Sequence, residues 1–100
     1  SGSSIMAYCL MKGARLGFLP AEYSTYGQKA FKGICDTYLS TVEGEMSLGG
    51  ICLVAGLGPD SNPRRDGTYE YYMSEPVVKD DAKGTAPFLL AYAEMCRLEA

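Results

Sequence analysis

Seven residues, "IMAYCLM" from Ile5 to Met11, carry no charge, and only Tyr8 is partly polar. Serines suited to capping free N–H groups precede them, and Gly17, Phe18, Leu19 and Pro20 follow. The stretch therefore reads as a helix from about Ser4 that ends at a glycine stop with a hydrophobic latch. A helix apolar all round has no face for water and is expected to be buried on every side. One hundred residues make at most one small domain with a marginal core. Cover for this helix is therefore expected from a partner, a metal or further chain.

The rest of the chain supplies a second helix and then changes character. In "AEYSTYGQKAFKGICDTYLSTV", Tyr23, Tyr26, Ala30, Phe31, Ile34, Tyr38 and Leu39 recur at steps of three and four and describe one helical face. Two helices joined by a few residues predict an antiparallel hairpin. In "EGEMSLGGICLVAGLG", Met46 and Leu48 alternate with polar neighbours, and Ile51 to Ala55 is a short apolar run fenced by glycines, as in short strands. Gly56, Gly58, Pro59, Asp60, Asn62 and Pro63 predict an irregular loop. A last helix is expected from about Thr85 to Leu98, with Pro87 in its first turn and Phe88, Leu89, Tyr92, Met95 and Cys96 as its buried stripe.

Composition removes several kinds of chemistry. A formal charge of -3 argues against a nucleic-acid partner and against a polybasic membrane anchor. The longest apolar run is too short to span a bilayer. With no histidine, Ser-His-Asp and Cys-His catalysis and mixed Cys/His zinc sites are excluded. The cysteines at 9, 35, 52 and 96 form no CxxC pair and read as reduced core residues; two disulfides would require an oxidising compartment. Neither a GxxxxGK[ST] nor a GxGxxG string is present, and no cofactor is expected.

The stretch "NPRRDGTYEYYMSEP", Asn62 to Pro76, concentrates the remaining chemistry. Asp66-Gly67 is a tight-turn signal. Tyr69, Tyr71 and Tyr72 offer flat rings with polar tips that suit a sugar face, and an arginine fork matches the carboxylate of a uronic acid. The alternative is that the tyrosines pack the loop onto the helices while Arg65 pairs with a nearby acid. Asp80-Asp81 and the pair Glu70 and Glu75 offer two-acid sets for glycoside hydrolysis, but nothing in their spacing marks an acid of raised pKa.

Four strings, "SGSSIMAYCLMKGARLGFLP", "GGICLVAGLG", "RDGTYEYYMSEP" and "DAKGTAPFLLAYAEM", in that order, resemble the C-terminal segments of bacterial unsaturated rhamnogalacturonyl hydrolases. These form glycoside hydrolase family 105, similar to the unsaturated glucuronyl hydrolases of family 88. The resemblance implies a mainly α fold: helical hairpins from the C-terminal part of an (α/α)6 barrel, with short extended segments and a long loop. Residues 1–100 would form a single partial domain. The family acts on oligosaccharides bearing a 4,5-unsaturated galacturonyl end. An aspartate protonates the enol-ether double bond and helps water add, and the resulting hemiketal opens. A bacterial cytoplasmic or periplasmic location follows from the same resemblance.

The family's catalytic aspartate lies upstream of everything matched here, and none of Asp36, Asp60, Asp66, Asp80 or Asp81 corresponds to it. The chain opens on "SGSS" without an initiator methionine, as would a piece of a larger product or a tag scar. The resemblance assigns a supporting role. Ser3 and Ser4 match a serine-rich helix start near the sugar cleft, and Arg65 with Tyr69 matches the loop that overhangs it. An unsaturated uronyl oligosaccharide is thus the expected ligand of the intact protein, and the chain alone is expected to be inactive. Its expected partner is a missing barrel segment or a second copy. A non-catalytic carbohydrate-binding protein and a structural, self-associating helical protein are the other classes that the residues allow.

Overall fold

The computed structural model describes residues 1–99. Three long helices carry the molecule: α1 (Gly2–Arg15), α2 (Tyr23–Tyr38) and α4 (Ala82–Glu99). Between α2 and α4 run the strands β1 (Leu39–Val42), β2 (Glu45–Leu48) and β3 (Ile51–Cys52), the short helix α3 (Tyr69–Ser74) and β4 (Val77–Val78). No helix among the described residues is long and apolar enough to cross a membrane.

The glycine stop of α1 is as expected. Gly17 takes φ +83°, and the N–H groups of Phe18 and Leu19 both donate to the Gly13 carbonyl, at 2.9 and 3.1 Å. That left-handed residue turns the chain back, and α2 packs along α1 as a hairpin. The two helices approach closely at Gly27, where a Cβ would fall 2.6 Å from Met11 Cγ and 2.9 Å from the Ala7 carbonyl oxygen. Phe31 then stacks on Phe88 with ring centroids 5.2 Å apart, tying α2 to α4. Ala7, Met11, Ile34, Leu48, Ile51 and Ala91 complete the core around that pair.

The second helix is shorter than its periodicity predicts. It ends at Tyr38, and Leu39–Val42 is β1, paired antiparallel with β2 in the register Leu39↔Leu48 to Val42↔Glu45. Glu43 and Gly44 both have positive φ, the backbone of a tight two-residue hairpin turn. The extended segments at Met46–Leu48 and Ile51 are borne out as β2 and β3. β3 pairs with β4 through Ile51↔Val78, whereas Leu53–Ala55 is irregular.

α4 starts three residues earlier than expected because Asp81 caps it. The Asp81 side chain accepts the Lys83 N–H at 2.9 Å, and its carbonyl accepts the Thr85 N–H at 2.9 Å. Pro87 therefore lies in the second turn. The buried stripe is also rotated: Gly84, Phe88, Ala91 and Glu94 are buried, while Leu89, Tyr92 and Cys96 face out.

Two further expectations are corrected for the same reason. Only Ser4, Ala7 and Met11 of α1 are buried, and Ile5 and Met6 are about half exposed. α2 and α4 cover two sides of α1 and leave a third open. The cysteines are free thiols, but Cys9 and Cys96 are exposed and Cys52 is half-buried; only Cys35, also half-buried, packs against the core. The molecule measures 50 × 40 × 17 Å, a slab with apolar side chains on its faces.

Candidate functional site

The first turn of α1 opens into a cavity of about 260 Å³. Ser1, Gly2, Ser3 and Ser4 form one wall. The first helical bond runs from the Ile5 N–H to the Ser1 carbonyl at 2.9 Å, so the N–H groups of Gly2, Ser3 and Ser4 have no partner within the helix. Ser1 makes no side-chain cap, and no acidic residue lies in this turn. No side chain among the described residues compensates the partial positive charge of this helix N-terminus, and two serine hydroxyl groups stand beside it.

The opposite wall comes from elements distant in sequence. The β1–β2 hairpin carries the chain back to the end of α2, where the Gly49 N–H donates to the Tyr38 carbonyl at 2.9 Å. Gly50 follows at φ +67°, and a Cβ there would run into the Tyr38 ring. Only glycine lets this backbone cross the ring. Tyr72 of α3 and Gly84 of α4 close the wall.

The tyrosine loop is more ordered than a bare turn. Asp66 Oδ1 accepts from both the N–H of Thr68 (3.0 Å) and its hydroxyl (2.7 Å), while Thr68 Oγ1 accepts the Tyr71 N–H at 3.1 Å and so caps α3. Gly67 lies between them at φ +80°. Asp66 and Gly67 shape the turn, as read from the sequence. Tyr71 is buried beneath it, whereas Tyr69 points outward at 72% exposure and Tyr72 is half exposed at the cavity.

The two neighbouring arginines part company. Arg64 donates to Ser74 Oγ at 3.1 Å and to Glu75 Oε1, and it sits over the Tyr71 ring. The expected arginine–acid pair exists, but Arg64 makes it. Arg65 lays its stem against the Gly58 backbone, and its Nε is buried without a protein partner. The Tyr71 hydroxyl and Glu75 Oε2 are likewise buried and unpartnered. The structure brings Ser3 and Ser4 together at the cavity; among the described residues, Arg65 and Tyr69 do not line it. Sequence reasoning missed Tyr38, Gly49, Gly50, Tyr72 and Gly84. The Gly49-Gly50 pair is the one local sign, and in the sequence it marks only the edge of a short strand.

Where carboxyl groups shift from their ordinary pKa, they shift down. The Thr68 hydroxyl and N–H hold Asp66 low, the Leu48 N–H and Ser47 hydroxyl hold Asp80 low, and the Lys83 N–H does so for Asp81. Such groups are carboxylates at neutral pH and poor proton donors. At the other end of α1, a cavity of about 280 Å³ holds Arg15, Arg97 and the buried Glu94, whose charges pair with one another.

Comparison with known proteins now gives the arrangement a family. Residues 1–99 match the model of Glycosyl Hydrolase Family 88. The chain is 46% identical over 99 residues to Protein Atu3128 of Agrobacterium fabrum, an alignment covering 94% of this chain and 42% of that protein. The same figures hold for the 24.9 kDa protein in the picA locus of Rhizobium radiobacter. The chain thus spans less than half the length of these relatives. A solved glycoside hydrolase from family 105 of C. acetobutylicum superposes with a TM-score of 0.86 at 44% identity, covering 93% of this chain and 26% of that one. The helices and the α1–α2 hairpin are therefore part of an (α/α)6-barrel glycoside hydrolase fold, and the chain belongs to Glycosyl Hydrolase Family 88.

Proposed function

We propose that the chain contributes a substrate-holding wall to a hydrolase that removes 4,5-unsaturated galacturonate from pectin-derived oligosaccharides by enol-ether hydration. The observation that carries this reading is the first turn of α1, open to a polar cavity beside Ser3 and Ser4. Free N–H groups at a helix start favour a carboxylate, which is what distinguishes a uronate from a neutral sugar. Ser3 and Ser4 supply hydroxyl groups to the ring, and Gly50 keeps the opposite wall thin.

Arg65 and Tyr69 act from the loop, reaching the sugar in the intact protein, where missing barrel hairpins complete the cleft. The proton donor comes from outside these hundred residues, as the family resemblance implies with its aspartate upstream of the matched segment, and Asp66, Asp80 and Asp81 are held ionised in keeping with that. General acid catalysis is worth about 10²–10⁴-fold, so the chain alone lacks appreciable turnover.

Nuclear magnetic resonance titration of the chain with unsaturated galacturonyl-rhamnose tests both halves. The reading expects the amide signals of Ser3, Ser4, Gly49 and Gly50 to move at millimolar sugar while the ultraviolet absorbance of the double bond persists. Unmoved signals would remove the binding role, and loss of absorbance would overturn the outside acid.

A further inference from the structure

We propose that the β1–β2 hairpin receives the sugar that follows the uronate, and that Glu43, Glu45 and Asp80 restrict that place to an uncharged ring. The proposal rests on the cavity beside Ser3 and Ser4 being the uronate site.

A second cavity, of about 440 Å³, lies against the first and shares Tyr38 and Gly49 with it. Ser40↔Ser47 and Val42↔Glu45 are cross-strand partners, so these four side chains stand on one face of the hairpin, and all four line the second cavity. Asp80 joins them from the approach to α4, held to β2 by the Ser47 hydroxyl and the Leu48 N–H, each at 2.9 Å. Tyr38 is the partition between the two hollows. The Gly50 backbone backs its ring, yet the residue is 46% exposed. A ring placed so is a platform for the apolar face of a pyranose. A saccharide whose uronate lies at Ser3 and Ser4 therefore meets the hairpin cavity with its next ring.

Charge decides which ring fits. The first cavity has no acidic side chain in its walls. The second sets the carboxylates of Glu43, Glu45 and Asp80 against the single ammonium of Lys79. Hydroxyl groups of a neutral sugar can donate to those carboxylates. A second uronate would bring a like charge among them, which selects by repulsion rather than by added contacts.

Nuclear magnetic resonance titration of the chain with three sugars tests the assignment. They are the methyl glycoside of unsaturated galacturonate, unsaturated galacturonyl-rhamnose and unsaturated digalacturonate. The glycoside is expected to move the Ser3 and Ser4 amides but not those of Ser40 and Ser47. Galacturonyl-rhamnose is expected to move both sets, and digalacturonate to bind about tenfold more weakly. Glu43→Gln combined with Glu45→Gln, both exposed, should shrink that gap to about threefold or less. Raising the salt from about 0.05 M to about 0.5 M should shrink it in the unaltered chain as well.

Hairpin amides left still by galacturonyl-rhamnose would overturn the proposal and leave this face to the hairpins of the larger barrel. Equal affinity for the two disaccharides, or a gap that neither the glutamines nor salt reduces, would also overturn it. If the double variant loses its hairpin, the salt series on the unaltered chain still decides. A glycoside that leaves Ser3 and Ser4 unmoved sinks the uronate site and this proposal with it. A glycoside that moves them, while the disaccharides bind alike, sinks this proposal alone.

Discussion

Arg15 grips Glu94 with both ends of its guanidinium, Nε at 2.7 Å from Oε1 and Nη2 at 3.0 Å from Oε2, across 79 residues of sequence. The pair bolts the last turn of α1 to α4. The hydrogen bonds from Arg15 hold the Glu94 carboxyl below its ordinary value of 4.5. A carboxyl depressed by folding stabilises the protein above its unfolded pKa, and that contribution is lost as pH falls through the lower folded value. Glu94→Gln should therefore cost about 1–2 kcal/mol at pH 7, less than a wholly buried pair because the Arg15 side chain is one-third exposed. Urea melts at pH 7 and at pH 3 check this: the gap between the two proteins should narrow in acid.

Two helical glycines should respond to alanine in opposite directions. At Gly27 the added methyl would meet the Ala7 carbonyl and the Met11 backbone, which cannot swing aside. Overpacking of that kind costs about 1–3 kcal/mol and outweighs the helix propensity gained. At Gly33 nothing lies within 4 Å, so Gly33→Ala should add about 0.5–1 kcal/mol. Thermal denaturation of the two variants checks the sign of each.

How much of this was legible beforehand depended on whether the signal was local. Gly17 and the spacing of Phe31 and Ile34 fixed the α1–α2 hairpin, since stop and stripe both lie within a few residues. Leu39 misled because it continues the helical repeat; the decisive feature, the Glu43–Gly44 turn, lies beyond it. α4 is apolar on several sides, so periodicity could not choose which stripe is buried. α3 was hidden by its six-residue length, although Thr68 was there to cap it. Ser3 and Ser4 were found by resemblance, but Tyr38 and Gly50 meet them only once the β1–β2 hairpin has folded back.

Asp80 is a non-glycine residue at φ +60°, and three bonds hold it there. Its carboxylate accepts the Leu48 N–H and the Ser47 hydroxyl, each at 2.9 Å, and its own N–H donates to the Leu48 carbonyl at 2.8 Å. Those bonds pin the approach to α4 onto β2. Asp80→Ala should lower the melting temperature, since it loses both acceptors and tolerates positive φ poorly. Asp80→Asn keeps an acceptor and the turn tolerance, so it should lose less. The order of the two melting temperatures is the check.

The side-by-side arginines separate packing from ligand contact. Arg64 neutralises Glu75, whose side chain is 1% exposed. Arg64→Ala strands that carboxylate and should destabilise the fold by about 1–3 kcal/mol. Arg65 has no such partner; its Nε is buried with its hydrogen-bonding capacity unused. In an enzyme that contains this segment, Arg65→Ala should leave the melting temperature nearly unchanged. It should reduce kcat/KM for the unsaturated uronyl substrate about 10- to 100-fold, the value of one lost charge-assisted hydrogen bond. Arg65→Lys should recover only part of that loss, because an ammonium cannot reproduce the planar fork. An Arg65→Ala enzyme with unaltered KM and kcat would place Arg65 with the packing residues, and the cavity beside Ser3 and Ser4 would then have to hold the sugar without the loop.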